Sequence, residues 1–176
     1  MKSNLYWITG LSGAGKTTIG TLFYSYLQKI KKNVIYLDGD NLREIFGVTQ
    51  EYSLSDRKTL AMRYSRLCKM LTEQDMDVVI CTISMFNEVR KWNRENISNY
   101  KEIYIKVPMK ILIDRDQKQL YSRALRGEIK DVMGVDVEVD EPDNPDIIIN
   151  NDGSSTPEKM TYQLFGKLKL NSKQIY

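Results

Sequence analysis

Residues 5–18 read Leu5-Tyr-Trp-Ile-Thr-Gly10-Leu-Ser-Gly-Ala-Gly15-Lys16-Thr17-Thr18. The aromatic and β-branched run from Leu5 to Thr9 ends at a glycine, which predicts a buried strand. Gly10 to Thr17 then fits G-x4-G-K-[ST] completely. The glycines let successive backbone N–H groups curl around the β- and γ-phosphates of a nucleotide, while the helix that follows aims its positive end at them. Lys16 is spaced to bridge those phosphates, and the Thr17 hydroxyl is placed to ligate Mg²⁺. Gly10, Leu11, Ser12, Gly13, Ala14, Gly15, Lys16, Thr17 and Thr18 are therefore the candidate ATP site. A glycine-rich turn with no ligand is the plain alternative, and the strand before and helix after argue against it.

Working outward, Ile19, Leu22, Phe23, Tyr26, Leu27 and Ile30 recur at helical spacing, with Lys29 near the helix end. Val34 to Leu37 reads as the next strand, completing a β–turn–α–β unit of a parallel sheet. A short helix is expected around Leu42 to Phe46. Ser55 is a candidate N-cap for a long helix ending near Asp75, with Leu60, Tyr64, Leu67, Cys68 and Leu71 on its core face. Further strands are expected at Val78 to Ile83, Ile103 to Val107 and Ile147 to Ile149. Helices are expected around Asn87 to Ile97 and from Pro108 to about Asp116. From there to Asn144 the chain is polar and charged with little room for a core, which suggests a helix plus a mobile lid. Thr156-Pro157 opens a last helix with Met160, Leu164 and Leu168 inward, and a frayed tail is expected beyond Asn171. The predicted fold is α/β, of the P-loop NTPase/kinase type. A central parallel sheet is flanked by helices, as one domain over residues 1–176 with a lid at about 115–144.

The 176 residues include 26 Lys and Arg against 23 Asp and Glu, and no histidine. Without histidine there is no Ser–His–Asp or Cys–His nucleophile pair, no His-ligated zinc and no imidazole base. The net charge of +3 has no long basic block behind it, so neither nucleic acid nor membrane is an expected partner. Two cysteines in apolar segments are too few for a disulfide framework, and a cytoplasmic setting is expected. Asp, Glu, Lys, Arg, Ser, Thr and backbone amides remain. That is the equipment of phosphoryl transfer.

Leu37-Asp38-Gly39-Asp40 closes the second strand, and ligands of parallel sheets bind beyond strand carboxyl ends. Asp40 is placed there to hold the water shell of Mg²⁺ or to accept a proton from an attacking hydroxyl, and Asp38 to orient it. Turn hydrogen bonds alone are the plainer role for such aspartates. Arg43 and Arg57 can clamp an anionic substrate, and Tyr52 between them can stack on a base. As plain surface arginines and a core tyrosine they need no ligand. Arg115, Lys118, Arg123, Arg126 and Lys130 of the lid can bring positive charge to the transition state on closure, or simply form a solvated face.

The run 5–18 together with Leu37-Asp-Gly-Asp-Asn-Leu-Arg43 resembles adenylylsulfate (APS) kinase. Tyr52-Ser-Leu-Ser-Asp-Arg57, Ile83-Ser84, Arg126-Gly-Glu-Ile-Lys130 and Glu141-Pro-Asp-Asn-Pro-Asp146 extend the likeness across about residues 5–150. The resemblance implies an ATP- and Mg²⁺-dependent kinase that phosphorylates the 3′-hydroxyl of a nucleotide whose 5′-phosphate is in a mixed anhydride. It also implies a homodimer. Asp40 then sits near the metal and the acceptor hydroxyl, with Lys16 as its catalytic companion and Arg115 on the ATP side. Arg43 and Arg57 hold the acceptor's anionic end and Tyr52 packs on its base. Asp38, Leu60, Ile83, Ser84, Asn87 and Lys130 complete the acceptor site.

The departures are specific. Where the family reads Asp-Arg-x-Glu-Asn-Ile-Arg-Arg, this chain has Asp56-Arg-Lys-Thr-Leu60-Ala-Met-Arg63, so an adenine-reading asparagine becomes Leu60. Where the family reads Ser-Pro-[Phe/Tyr]-Arg, this chain has Ser84-Met-Phe-Asn87. A lost base contact beside an intact phosphate loop points to a changed nucleotide. One branch resembling this family phosphorylates cytidine 5′-diphosphoramidate in capsule biosynthesis, and the altered base pocket favours it. The alternatives are an authentic adenylylsulfate kinase in which Leu60 merely packs on its helix, and an ATP-binding regulatory protein with a decayed acceptor site. A small-metabolite kinase would share the phosphate loop but leave the Asp-Gly-Asp-Asn-Leu-Arg run unexplained.

Overall fold

The computed structural model describes residues 3–47 and 53–170; Tyr52 and the tail from Asn171 onward lie outside them. Five parallel strands, β1 (Leu5–Thr9), β2 (Val34–Asp38), β3 (Asp77–Cys81), β4 (Tyr100–Lys106) and β5 (Ile147–Asn150), stand in the order β2-β3-β1-β4-β5. Between them run α1 (Lys16–Ile30), α2 (Gly39–Ile45), α3 (Leu54–Thr72), α4 (Asn87–Asn96), α5 (Met109–Arg115) and α6 (Leu120–Leu125), and α7 (Pro157–Lys167) follows β5. The expected architecture is thus the observed one. Among the described residues no helix is long and apolar enough to cross a membrane.

Strand alternation builds two cores from one sheet. Tyr6 and Ile8 face α1 and α7, where Ile19, Phe23, Leu27, Leu164 and Phe165 close the first core. Leu5 and Trp7 face α3 and α4, where Leu60, Tyr64, Cys68 and Val89 close the second. Both faces are covered, so the central strands read as unbroken apolar runs. On the first face α1 lies close against β3. A Cβ on Gly20 would overlap the Cys81 sulfur, so only a residue without a side chain fits there.

Several boundaries differ from expectation, and polar side chains explain them. The long helix is capped by Ser53, not Ser55. The Ser53 hydroxyl accepts from Asp56 N at 3.2 Å while Asp56 Oδ2 accepts from Ser53 N at 3.1 Å, a capping box that starts the helix earlier than the apolar pattern suggests. The helix after β2 starts at Gly39 instead of Leu42, because Asp38 caps it by accepting from Asp40 N at 2.9 Å. The third strand begins at Asp77, a buried carboxylate that accepts from Asn4 N at 2.6 Å and pairs with Lys31. The fourth begins at Tyr100, three residues early, because buried Glu102 has arginine partners described below. The charged segment is not without a core either. Tyr121, Val132 and Met133 are buried, with Val132 in the first core and Met133 in the second.

Removing the Ser53 hydroxyl should leave the Asp56 N–H without its cap. Ser53→Ala is expected to cost about 1 kcal/mol, read as a fall of roughly 2–4 °C in Tm by thermal unfolding.

Candidate active site

The phosphate loop lies between β1 and α1, at the carboxyl edge of the sheet. Gly10 has φ +153° and a Cβ there would lie 2.6 Å from the Ile105 carbonyl oxygen; Gly15 has φ +91° and a Cβ would lie 2.8 Å from Asn151 Nδ2. Both positions exclude side chains by conformation and by space.

Four successive carbonyls of this loop each accept from a named side chain. Lys16 Nζ donates to Leu11 O at 2.8 Å, the Tyr121 hydroxyl to Ser12 O at 2.8 Å, Arg115 Nη1 to Gly13 O at 3.2 Å and Asn151 Nδ2 to Ala14 O at 2.8 Å. Arg115 is itself anchored on the Asn151 Oδ1 at 3.0 Å. In a planar trans peptide the carbonyl and the next N–H point in opposite directions. Holding the Ser12 and Ala14 oxygens therefore fixes the opposite directions of the Gly13 and Gly15 N–H groups. Burial pushes the Lys16 ammonium down to about 8, against the opposing pull of Asp40 and Asp38. A bound polyphosphate would supply the missing counter-charge.

Beside the loop, the Thr17 hydroxyl donates to Asp38 Oδ2 at 3.0 Å, and the Tyr36 hydroxyl donates to the same oxygen at 3.2 Å. It is Asp38, not Asp40, that meets Thr17. Asp40 stands 69% exposed in its side chain and pairs with Arg43 at 3.2 Å. Hydroxyl and carboxylate oxygens are the donors Mg²⁺ takes, so Thr17 and the two aspartates suit that ion. Among the described residues there is no cluster of three His, Cys, Asp or Glu fit to hold a metal by itself.

The candidate acceptor residues are dispersed around the ends of β3 and α3. Ile83 O accepts from the buried Thr9 hydroxyl, and Ser84, at φ +28°, shares a 2.7 Å hydrogen bond with Thr82. A serine held in this left-handed region is backbone strain of the kind that collects at functional positions. Arg57 acts on Asp136, whose carboxyl lies below the usual range: burial opposes that shift, but the Val132 and Asp131 amides and the Arg57 charge outweigh it. Leu60 is 4% exposed and belongs to the second core, so it offers the cleft no polar atom. Lys130 is exposed. A cleft of about 480 Å³ lies between Leu54, Ser55 and Lys58 of α3, Met85 and Phe86, and Glu138 and Asp140.

Asn87 opens α4 with its N–H donating to Asp140 Oδ2 at 2.9 Å and its side-chain oxygen accepting from Arg90. Arg90 is buried and reaches across to residues 140 and 141. Nη1 donates to Asp140 O at 2.8 Å, Nη2 to Glu141 O at 3.2 Å, and Nε faces Glu102 at 3.1 Å. Arg94 holds the other Glu102 oxygen at 2.6 Å and Asp146 at 3.2 Å. Burial pushes the Glu102 carboxyl up, and the two arginines pull it back.

Four residues of importance escaped the sequence reading: Tyr121, Asn151, Arg90 and Glu102. Asn151 had a usable signal, since it follows the last strand at the sheet's carboxyl edge. Tyr121 had none that separates it from an ordinary core aromatic. Arg90→Ala should leave Glu102 half-paired and the 140–146 segment untied. A loss of about 3–5 kcal/mol in chemical denaturation is expected, with faster proteolysis near residue 140.

A family profile described as adenylylsulphate kinase matches residues 2–150. The cytidine diphosphoramidate kinase of Campylobacter jejuni is 47% identical over 172 residues, covering 97% of this chain and all of its own. The probable adenylyl-sulfate kinase of Bacillus subtilis is 36% identical over 174 residues, covering 97% and 88%. In three dimensions the chain is similar to the Mycobacterium tuberculosis APS kinase CysC solved with AMPPNP and APS. The TM-score is 0.85 at 27% identity, with 96% of this chain and 98% of that one covered.

Proposed function

The chain belongs to the adenylylsulphate kinase family, and on that premise we propose that it transfers the γ-phosphoryl group of ATP to the 3′-hydroxyl of cytidine 5′-diphosphoramidate. It is a phosphotransferase with a hydroxyl acceptor, as its relatives are kinases throughout. The observation that carries the acceptor is the 47% identity to a cytidine diphosphoramidate kinase along that relative's whole length, against 34–36% for two probable adenylyl-sulfate kinases. Leu60 and Asn87 support it, since both depart from the pattern of adenylylsulfate kinases and neither disturbs the phosphate loop.

In this reading catalysis is positioning and charge neutralisation. The loop amides and Lys16 hold the β- and γ-phosphates. Thr17, Asp38 and Asp40 would hold magnesium, which would supply neutralisation of the charge on the phosphate oxygens. Asp40 steers the 3′-oxygen in line and takes its proton as the new O–P bond forms and the bond to the ADP oxygen breaks. Arg43 and Arg57 hold the anionic 5′-end of the acceptor, and Ile83, Ser84, Asn87 and Lys130 line its path. Tyr52 packs on the base. Arg115 secures the ATP side by holding the Gly13 carbonyl. The proposal includes a cytoplasmic homodimer.

One observation favours adenylylsulfate instead: Leu60 is buried in the core, so it can serve packing alone whatever base is bound. ADP release from Mg-ATP decides between the two acceptors, with adenylylsulfate, cytidine 5′-diphosphoramidate, CDP and shikimate offered in parallel. The cytidine diphosphoramidate is expected to give the highest kcat/KM by at least about a hundredfold. Faster turnover of adenylylsulfate would assign the second reading, and Lys16→Ala should lower either rate by at least about a hundredfold while the protein stays folded.

A further inference from the structure

Tyr121 belongs to the lid, not to the sheet that carries the phosphate loop. It is fully buried, lies on α6, and its hydroxyl reaches Ser12 O at 2.8 Å across 109 residues of sequence. The junction leading to it is strained: Asp116, Lys118 and Gln119 all have positive φ, at +34°, +58° and +55°. Asp116 Oδ1 accepts from Tyr121 N at 2.9 Å and Ser122 N at 3.0 Å, which fixes where α6 starts. A second lid contact lies on the neighbouring loop residue, where Gly134 leaves only 3.0 Å between its Cβ position and Leu11 Cδ1.

We infer that Tyr121 is a positioning residue for the nucleotide's phosphates, acting through the Ser12 carbonyl, and that through it the lid and the phosphate loop form one coupled unit. The Ser12–Gly13 peptide is rigid, so a hydroxyl holding its oxygen outward holds the Gly13 N–H inward. The phenol keeps its proton for this purpose, as burial pushes it up to about 12. Movement of α6 away from the loop breaks the bond and frees the peptide to turn. A phosphate that draws the Gly13 N–H inward equally favours the closed position of α6, because coupling between two sites is reciprocal. The inference rests on ATP as the phosphate donor but not on the identity of the acceptor.

Tyr121→Phe keeps the ring in the core and removes only the hydroxyl. Calorimetric titration of the full chain with Mg-ATP and no acceptor is expected to show affinity weakened about tenfold, the effect of one hydrogen bond to a charged ligand's cradle. Thr161→Val is the control: it removes a buried hydroxyl that donates within its own helix, to Pro157 O at 2.8 Å. It should bind ATP as the parent does. Saturating ATP should also slow tryptic cleavage after Arg126 and Lys130 in the parent and not in Tyr121→Phe. ATP affinity within twofold of the parent, an equal loss in Thr161→Val, or equal protection of the lid would overturn the inference. A wrong acceptor would leave all three readouts unchanged, so the two proposals fail separately.

Discussion

Everything the site can do depends on where the carbonyl oxygens of Leu11, Ser12, Gly13 and Ala14 point. Turned inward they would repel a phosphate; held outward they leave the loop's amides to receive one. The glycines permit the required backbone but do not select it, because a chain free to adopt one conformation is free to leave it. Selection comes from four donors on four different parts of the chain: Lys16 at the start of α1, Arg115 at the end of α5, Tyr121 on α6 and Asn151 after β5. The binding motif is contiguous in sequence. The apparatus that makes it bind is not.

The rest of the architecture serves to bring those donors to the same edge. Parallel strands deliver their carboxyl ends together, which places Asp38, Ser84 and Asn151 at one edge of the sheet although the first and last of them lie far apart in the sequence. The charged segment after α5 is then fastened on two sides. Val132 and Met133, neighbours in sequence, enter opposite cores, and Arg90 ties the return segment to α4 through Asp140 and Glu141. Glu102 keeps Arg90 in line at the cost of a buried carboxylate, which its two arginine partners offset. The charged segment is therefore joined to the hydrophobic interior rather than resting on the surface.

The fold was legible because its signals are local: a strand, a glycine loop and an amphipathic helix in immediate succession. Strand β3 announced itself by Val78, Val79 and Ile80, while Asp77 at its start did not, since a buried aspartate is explained only by Asn4 and Lys31 arriving from elsewhere. The same holds for Glu102, which looks like a solvent residue until Arg90 and Arg94 are seen beside it. At the site, Lys16, Thr17 and the aspartates were readable from spacing. Which aspartate Thr17 meets was not, because its contact with Asp38 instead of Asp40 follows from the direction in which β2 ends and α2 is capped. Tyr121 was invisible for a simpler reason: a tyrosine that fills a core and a tyrosine that also holds a carbonyl have the same neighbours in sequence.

The tight seat of α1 on β3 has a consequence for how this chain can diverge. Gly20 has no side chain because the sulfur of Cys81 occupies its place, and Cys81 Sγ also donates to the Lys16 carbonyl at 3.2 Å. The two positions therefore form a single evolutionary unit. A branch that acquires alanine at position 20 must shrink position 81 or lift the first turn of α1, and lifting that turn moves Lys16 and Thr17 with it. Sequence drift at a buried cysteine is thereby tied to the chemistry one turn of helix away.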